Sequence, residues 1–96
     1  PATDLAIALA IAGSITETAL PGGLVAIGEI SLAGDVRQVT ALGRRLAEAA
    51  RLGFTDAIVP AGDHAQEGLR IHPAASVAEA LAIARRLSRP VEPAAF

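Results

Sequence analysis

The chain reads as an α/β (α+β) domain, a mixed sheet with helices packed on it. Three observations predict this. Segments of helical and extended character alternate in the order helix, strand, strand, helix, strand, strand, helix. The stretch "LVAIGEISL" carries apolar residues on both faces, Val25 and Ile27 on one and Ala26, Ile30 and Leu32 on the other, as an interior strand does. Two later segments repeat their apolar residues at helical spacing between recognisable start and stop signals.

The first element is "TDLAIALAIAG", a helix capped by Thr3, with Asp4 at the positive end of its dipole and Gly13 at its end. It is apolar all round, which marks a helix buried on most sides. "SITETALPGG" follows as a polar connection closed by a Pro-Gly-Gly breaker. After "LVAIGEISL", Gly34-Asp35 predicts a two-residue hairpin turn with glycine first, and "VRQV" returns as the partner strand. Thr40 is the expected cap of a helix over Ala41 to Leu52 that Gly53 stops. Its inner stripe is expected to be Leu42, Leu46, Ala49, Ala50 and Gly53, and Glu48 lies within helical reach of Arg44, Arg45 and Arg51. "DAIVP" and "LRIHP" are short strands around the loop "AGDHAQEG". Ser76 and Glu79 form a capping box for a last helix from Val77 to about Leu87, with Val77, Ala80, Leu81, Ala84 and Leu87 inside. The proline-punctuated tail, residues 89–96, is expected to be disordered.

The 96 residues are 52% hydrophobic, mostly through Ala, Ile, Leu and Val, with Phe54 and Phe96 as the aromatic residues. That core buries less area per residue than one with many rings, so reliance on a neighbouring part is expected. There is no cysteine, which removes disulfides and thiolate metal sites and fits a reducing, cytoplasmic setting. No leader pattern is seen, and the longest apolar run, Leu5 to Ala12, is far shorter than a bilayer span, so no membrane partner is expected. Net charge is −2, unlike a self-sufficient nucleic-acid binder, and all eight basic residues are arginine.

Taken together, "DLAIALAIAGS", "VAIGEISLAGDVRQV", "RRLAEAARLGF", "AIVP" and "SVAEAL" resemble the C-terminal Lon-protease-like domain of the bacterial DNA-repair family RadA (Sms). The resemblance runs from the start of the chain to about Leu87, and its strongest part is "GEISLAGDVR" followed by "RRLAEAARLGF". Gln38 stands where the family often has proline. The resemblance implies a Lon-like fold, of the ribosomal protein S5 domain 2-like class. Residues 1–88 would be the later part of that domain, with its first strands, a RecA-like ATPase and a zinc finger lying outside this sequence. Lon-like domains of the ComM/YifB group of AAA+ proteins share the "DL…IAL" helix and the hairpin pattern and are the alternative parent.

The same resemblance locates the protease positions. Lon proteases attack with a serine activated by a lysine. Here Ala2 falls at the serine and Gly43 at the lysine. A methyl group cannot attack a carbonyl and glycine offers no base. Thr3 lies one residue from the serine position and is turned away by about 100° on a helix. The chain has no lysine, and arginine stays protonated. No catalytic residue is therefore expected. Ser31, Asp63 and His64 lack a nucleophile-elbow motif. His64 and His72 are too isolated to be a metal set and read as surface histidines. The glycines of "PGGLVAIG" lack phosphate-loop spacing.

The expected function is thus a non-catalytic scaffold that helps a RadA-type ATPase form a ring, a hexamer in that family, on DNA during recombination and branch migration. ATP, magnesium and zinc are implied only for the parts outside this chain. A second expectation is direct DNA contact through Arg37, Arg44, Arg45 and Arg51, set against the internal pairing that Glu48 offers.

Overall fold

The computed structural model describes residues 15–87. Five strands and two helices follow one another as β1 (Ile15–Leu20), β2 (Leu24–Ile30), β3 (Val36–Arg37), α1 (Leu42–Arg51), β4 (Asp56–Pro60), β5 (Arg70–Ala74) and α2 (Val77–Leu87). They form one five-stranded sheet in the order β1-β2-β4-β5, with β3 also paired to β2. β1 and β3 run antiparallel to β2, whereas β4 is parallel to β2 and β5 parallel to β4. This is the mixed α/β sheet the sequence predicts. The first predicted helix and the tail lie outside the described residues.

One helix covers each face of the sheet. Val25 and Ile27 of β2 and Ala57 and Val59 of β4 point to α1, where they meet Leu42, Leu46 and Ala49. Leu24, Ala26 and Ile58 point the other way, with Leu20 and Ala74, onto Ala80 and Ala84 of α2. β2 is fully interior, as its apolar residues on both faces require.

Local chemistry corrects several expectations. "ITETAL" is not a connection but a strand, paired from Ile15↔Glu29 to Leu20↔Leu24. Its threonines suit a pleated surface, and its polar residues suit an edge strand with one wet face. The β2–β3 turn has three residues, Leu32, Ala33 and Gly34, rather than two. The Ser31 amide donates to the Asp35 carbonyl at 2.9 Å, and Gly34 takes φ +89° as the last residue of the turn. Leu32 consequently leaves the strand and is 95% exposed, not on an inner face. Thr40 does not cap α1. The capping position is Ala41, at φ 59° and ψ 36°, and no side chain bonds the first amides.

The exit of α1 follows expectation. Gly53 turns left-handed at φ +97°, its amide donates to the Ala50 carbonyl at 3.1 Å, and the Phe54 amide reaches Ala49 at 3.1 Å, a Schellman motif. α2 begins as predicted, with the Glu79 amide donating to Ser76 Oγ at 3.1 Å. The Glu79 carboxylate accepts from the Ala75 amide at 2.7 Å, one residue further back than a standard capping box. Leu87, expected inside, is exposed, and Ile83 packs against the core instead.

Candidate functional site

Three places in the fold hold the candidate residues. The first is the position that the resemblance to Lon-like domains would align with a protease lysine. Gly43 sits in the first turn of α1, exposed, and a Cβ built on it meets no atom within 4 Å. Ala2, Thr3 and Asp4 lie outside the described residues. Ser31, the serine weighed with Asp63 and His64, is committed to its turn, where Oγ accepts from the Asp35 amide at 3.1 Å.

The second place is the arginine surface. Arg37, Arg44, Arg45 and Arg51 all fall on β3 and α1, but the structure does not leave them equivalent. Arg45 donates to Glu17 of β1 at 2.7 Å and, through Nε, to the Thr40 carbonyl at 3.0 Å. Arg51 pairs with Glu48 one turn back. Glu48 therefore holds one arginine, not the three its spacing allows. Arg44 and Arg37 are exposed. α1 has no acidic residue in its first turn, so its positive dipole end lies beside Arg44 and Arg45.

The third place is a buried polar cluster. Asp56, the first residue of β4, is 8% exposed among otherwise apolar core residues. His72 Nε2 donates to its Oδ2 at 2.8 Å and Thr55 Oγ1 to its Oδ1 at 2.8 Å, with the Arg70 guanidinium 4.0 Å from Oδ2. Burial is the largest single influence on this carboxyl and pushes its pKa up. The hydrogen bonds from His72 and Thr55 and the nearby Arg70 charge together outweigh it, and hold the carboxyl below its usual range. Asp56 is thus an ionised, fully engaged acceptor, which makes it a fastener rather than a general base. The backbone reinforces it, since the Thr55 and Asp56 amides both donate to the Gly23 carbonyl, at 2.8 and 3.2 Å, and the Arg70 amide donates to the Thr55 carbonyl at 2.9 Å.

His72 is therefore no surface histidine. The available signal was alternation, which puts Arg70, His72 and Ala74 on one face of β5 and Asp56 and Ile58 on one face of β4. The missing information was the register Asp56↔Arg70 and Ile58↔His72. His64 lies beside Gln38, whose Nε2 donates to the Ala61 carbonyl at 3.1 Å and approaches His64 Nε2 at 3.3 Å, tying β3 to the β4–β5 loop. Among the described residues no group of three or more His, Cys, Asp or Glu could hold a metal, and no helix is long and apolar enough to cross a membrane.

The family model described as ChlI, subunit ChlI of Mg-chelatase, matches residues 1–63. "DNA repair protein RadA" of Mycolicibacterium smegmatis is 48% identical over 89 residues, 92% of this chain and 19% of that protein. The protein of the same name from Mycobacterium tuberculosis H37Rv is 52% identical over 63 residues, 66% of this chain and 13% of that one. RadA of Escherichia coli K12 is 41% identical over 83 residues, 83% of this chain and 18% of that one. The chain thus spans less than a fifth of the length of these curated relatives.

Proposed function

The chain belongs to the family described as subunit ChlI of Mg-chelatase and is homologous to DNA repair protein RadA, and from that premise we propose that it is a non-catalytic, Lon-like assembly domain of a RadA-type DNA-repair protein. The observation that carries this reading is the pairing of 48% identity across 92% of the chain with a glycine, not a base, at the lysine position. A helix that keeps its inner stripe of Leu42, Leu46 and Ala49 while presenting bare backbone at Gly43 supplies packing without chemistry. Mg-chelatase is named in the family's description, and the reading proposed here assigns no metal to this chain.

In this reading the parent is an ATP-driven protein acting on DNA in homologous recombination, a ring in the cytoplasm. Its nucleotide, magnesium and zinc belong to parts outside this sequence. A ComM/YifB-type parent changes the attached motor and leaves the role of this domain as it is. The test is the native mass of the chain by light scattering across a concentration series, with hydrolysis of a fluorogenic peptide in parallel. A mass climbing toward a hexamer without hydrolysis supports the assignment. A monomer at every concentration, or peptide cleavage, overturns it.

One observation favours a second reading, in which α1 touches DNA. The uncapped start of α1, with Arg44 exposed beside it, suits a phosphate. Arg37 would add to it, while Arg45 and Arg51 would have to exchange Glu17 and Glu48 for phosphate. Fluorescence anisotropy with a labelled single strand tests this. Affinity that falls with salt and with Arg44→Ala supports it, and binding indifferent to both removes it.

A further inference from the structure

Among the described residues three large apolar side chains are exposed, Leu32 at 95%, Leu52 at 67% and Leu87 at 36%. Single exposed leucines are ordinary, but these are sorted by position. Leu32 tips the β2–β3 hairpin, beyond the carboxyl end of β2. Helices α1 and α2 both run back from the carboxyl ends of the parallel strands. Leu52 and Leu87, which close them, therefore lie at the opposite end, near the first residues of β4 and β5.

Charge is sorted along the same axis. On the α2 side the hairpin end carries Asp35, three residues from Leu32, and Glu79 in the first turn of α2, both exposed. The opposite end of that side carries Arg70, the first residue of β5, and Arg86 in the last turn of α2, also exposed. The basic residues of the hairpin end, Arg37, Arg44 and Arg45, fall on the α1 side. The hairpin tip is also firmly held. The Val77 amide donates to the Gly34 carbonyl at 2.8 Å and the Val36 amide to Ala75 at 2.9 Å, and Asp35 bridges to Ser76. A leucine this exposed on a turn this well anchored is preorganised for contact.

We propose that copies of this chain associate head to tail, the Leu32–Asp35–Glu79 end of one against the Leu52–Leu87–Arg70–Arg86 end of the next. This rests on the assembly reading above and assigns its contact surfaces. Two different patches on opposite ends define a heterologous contact, which closes into a ring when the rotation between copies allows and otherwise propagates as a filament. The leucines supply the desolvated centre and the opposite charges set the polarity.

The experiment is sedimentation velocity on the 96-residue chain, its Leu32→Lys variant (head), its Leu52→Asp/Arg86→Glu variant (tail) and an equimolar mixture of the two variants. All substituted side chains are exposed, so circular dichroism should be unchanged. If Leu32→Lys loses the native spectrum, Leu32→Ser repeats that arm. The expected result is self-association of the natural chain that weakens with salt, and weakening by at least about tenfold in each variant. The mixture should give a dimer and nothing larger, because one head and one tail remain intact. Variants that assemble like the natural chain overturn these surfaces while leaving assembly in place. Monomeric variants whose mixture stays monomeric overturn the two-surface geometry. A natural chain that is monomeric throughout overturns the assembly reading and this one with it.

Discussion

The two faces of the sheet differ in what their helices bury fully. On the α1 face the buried residues of the helix include two leucines, Leu42 and Leu46, set on Val25, Ile27, Ala57 and Val59. On the α2 face the sheet brings Leu20, Leu24 and Ile58, while the fully buried residues of the helix are Ala80 and Ala84, with Val77, Leu81 and Ile83 half-buried beside them. Alanine lets a helix backbone settle close to the strands, and the same face accommodates the Asp56–His72 pair. The difference teaches where each face is vulnerable. One is damaged by removing volume, the other by adding it or by unpairing a charge.

The largest effect is expected on the α1 face. Leu46 is 1% exposed at the centre of that cluster, so Leu46→Ala should cost about 3 kcal/mol of unfolding free energy in urea melts, through lost transfer energy and a residual cavity. A loss below about 1 kcal/mol would mean that α1 collapses onto the sheet and that its packing is loose. On the α2 face the inverse change is the informative one. Ala84 is fully buried, and Ala84→Leu should cost about 2 kcal/mol by overpacking. Were Ala84→Leu to stabilise the chain, the contrast between the faces would collapse.

Next comes the polar pair. Asp56→Asn keeps the shape but removes the charge that His72, Thr55 and Arg70 are arranged around, and should cost about 1–2 kcal/mol near neutral pH. Its pH dependence follows from the depressed folded-state pKa. Above the unfolded value, near the ordinary 3.8, the stabilisation from Asp56 is fully present, and it is lost as pH falls through the lower folded-state value. Stability measured from about pH 5 downward should therefore drop more steeply in the natural chain than in Asp56→Asn. Parallel acid limbs in the two proteins would show that Asp56 is not the acid-sensitive contact on this face.

The contrast between the faces also explains what could be read from the sequence. Periodicity names α1 and α2 and most of their inner residues, because 3.6-residue spacing is a property of the segment itself. It also separates Val25 and Ile27 from Ala26 and Ile30. It cannot reveal the Asp56–His72 contact, which depends on how two distant strands are staggered, nor the role of β1, whose threonines and glutamate look like a polar link until β2 is placed beside them. The candidate site divides in the same way. Gly43 and the arginines are visible as residues, but the pairing of Arg45 with Glu17 across 28 positions is not. Leu32 falls outside the strand because the extra residue of its turn ends the alternation one step early.

The smallest predictions concern the entry to α1, which is unlike the well-capped entry to α2. Ala41 is held at φ 59°, a conformation that glycine adopts freely, so Ala41→Gly should stabilise the chain by about 0.5–1 kcal/mol in thermal or urea unfolding. Two residues on, Gly43 occupies an ordinary helical conformation with open space around it, and Gly43→Ala should add about 0.5 kcal/mol through helix propensity. The two changes run in opposite chemical directions, alanine to glycine and glycine to alanine, so a shared stabilising sign would locate the entry strain at Ala41 alone. The second also bears on function. If Gly43→Ala and Gly43→Lys both fold with undiminished stability, nothing in the packing requires a glycine there, and the glycine is a property of the sequence rather than a demand of the fold. Loss of stability on Gly43→Ala would mean instead that the bare backbone at this turn is needed, and the glycine would have a structural reason of its own.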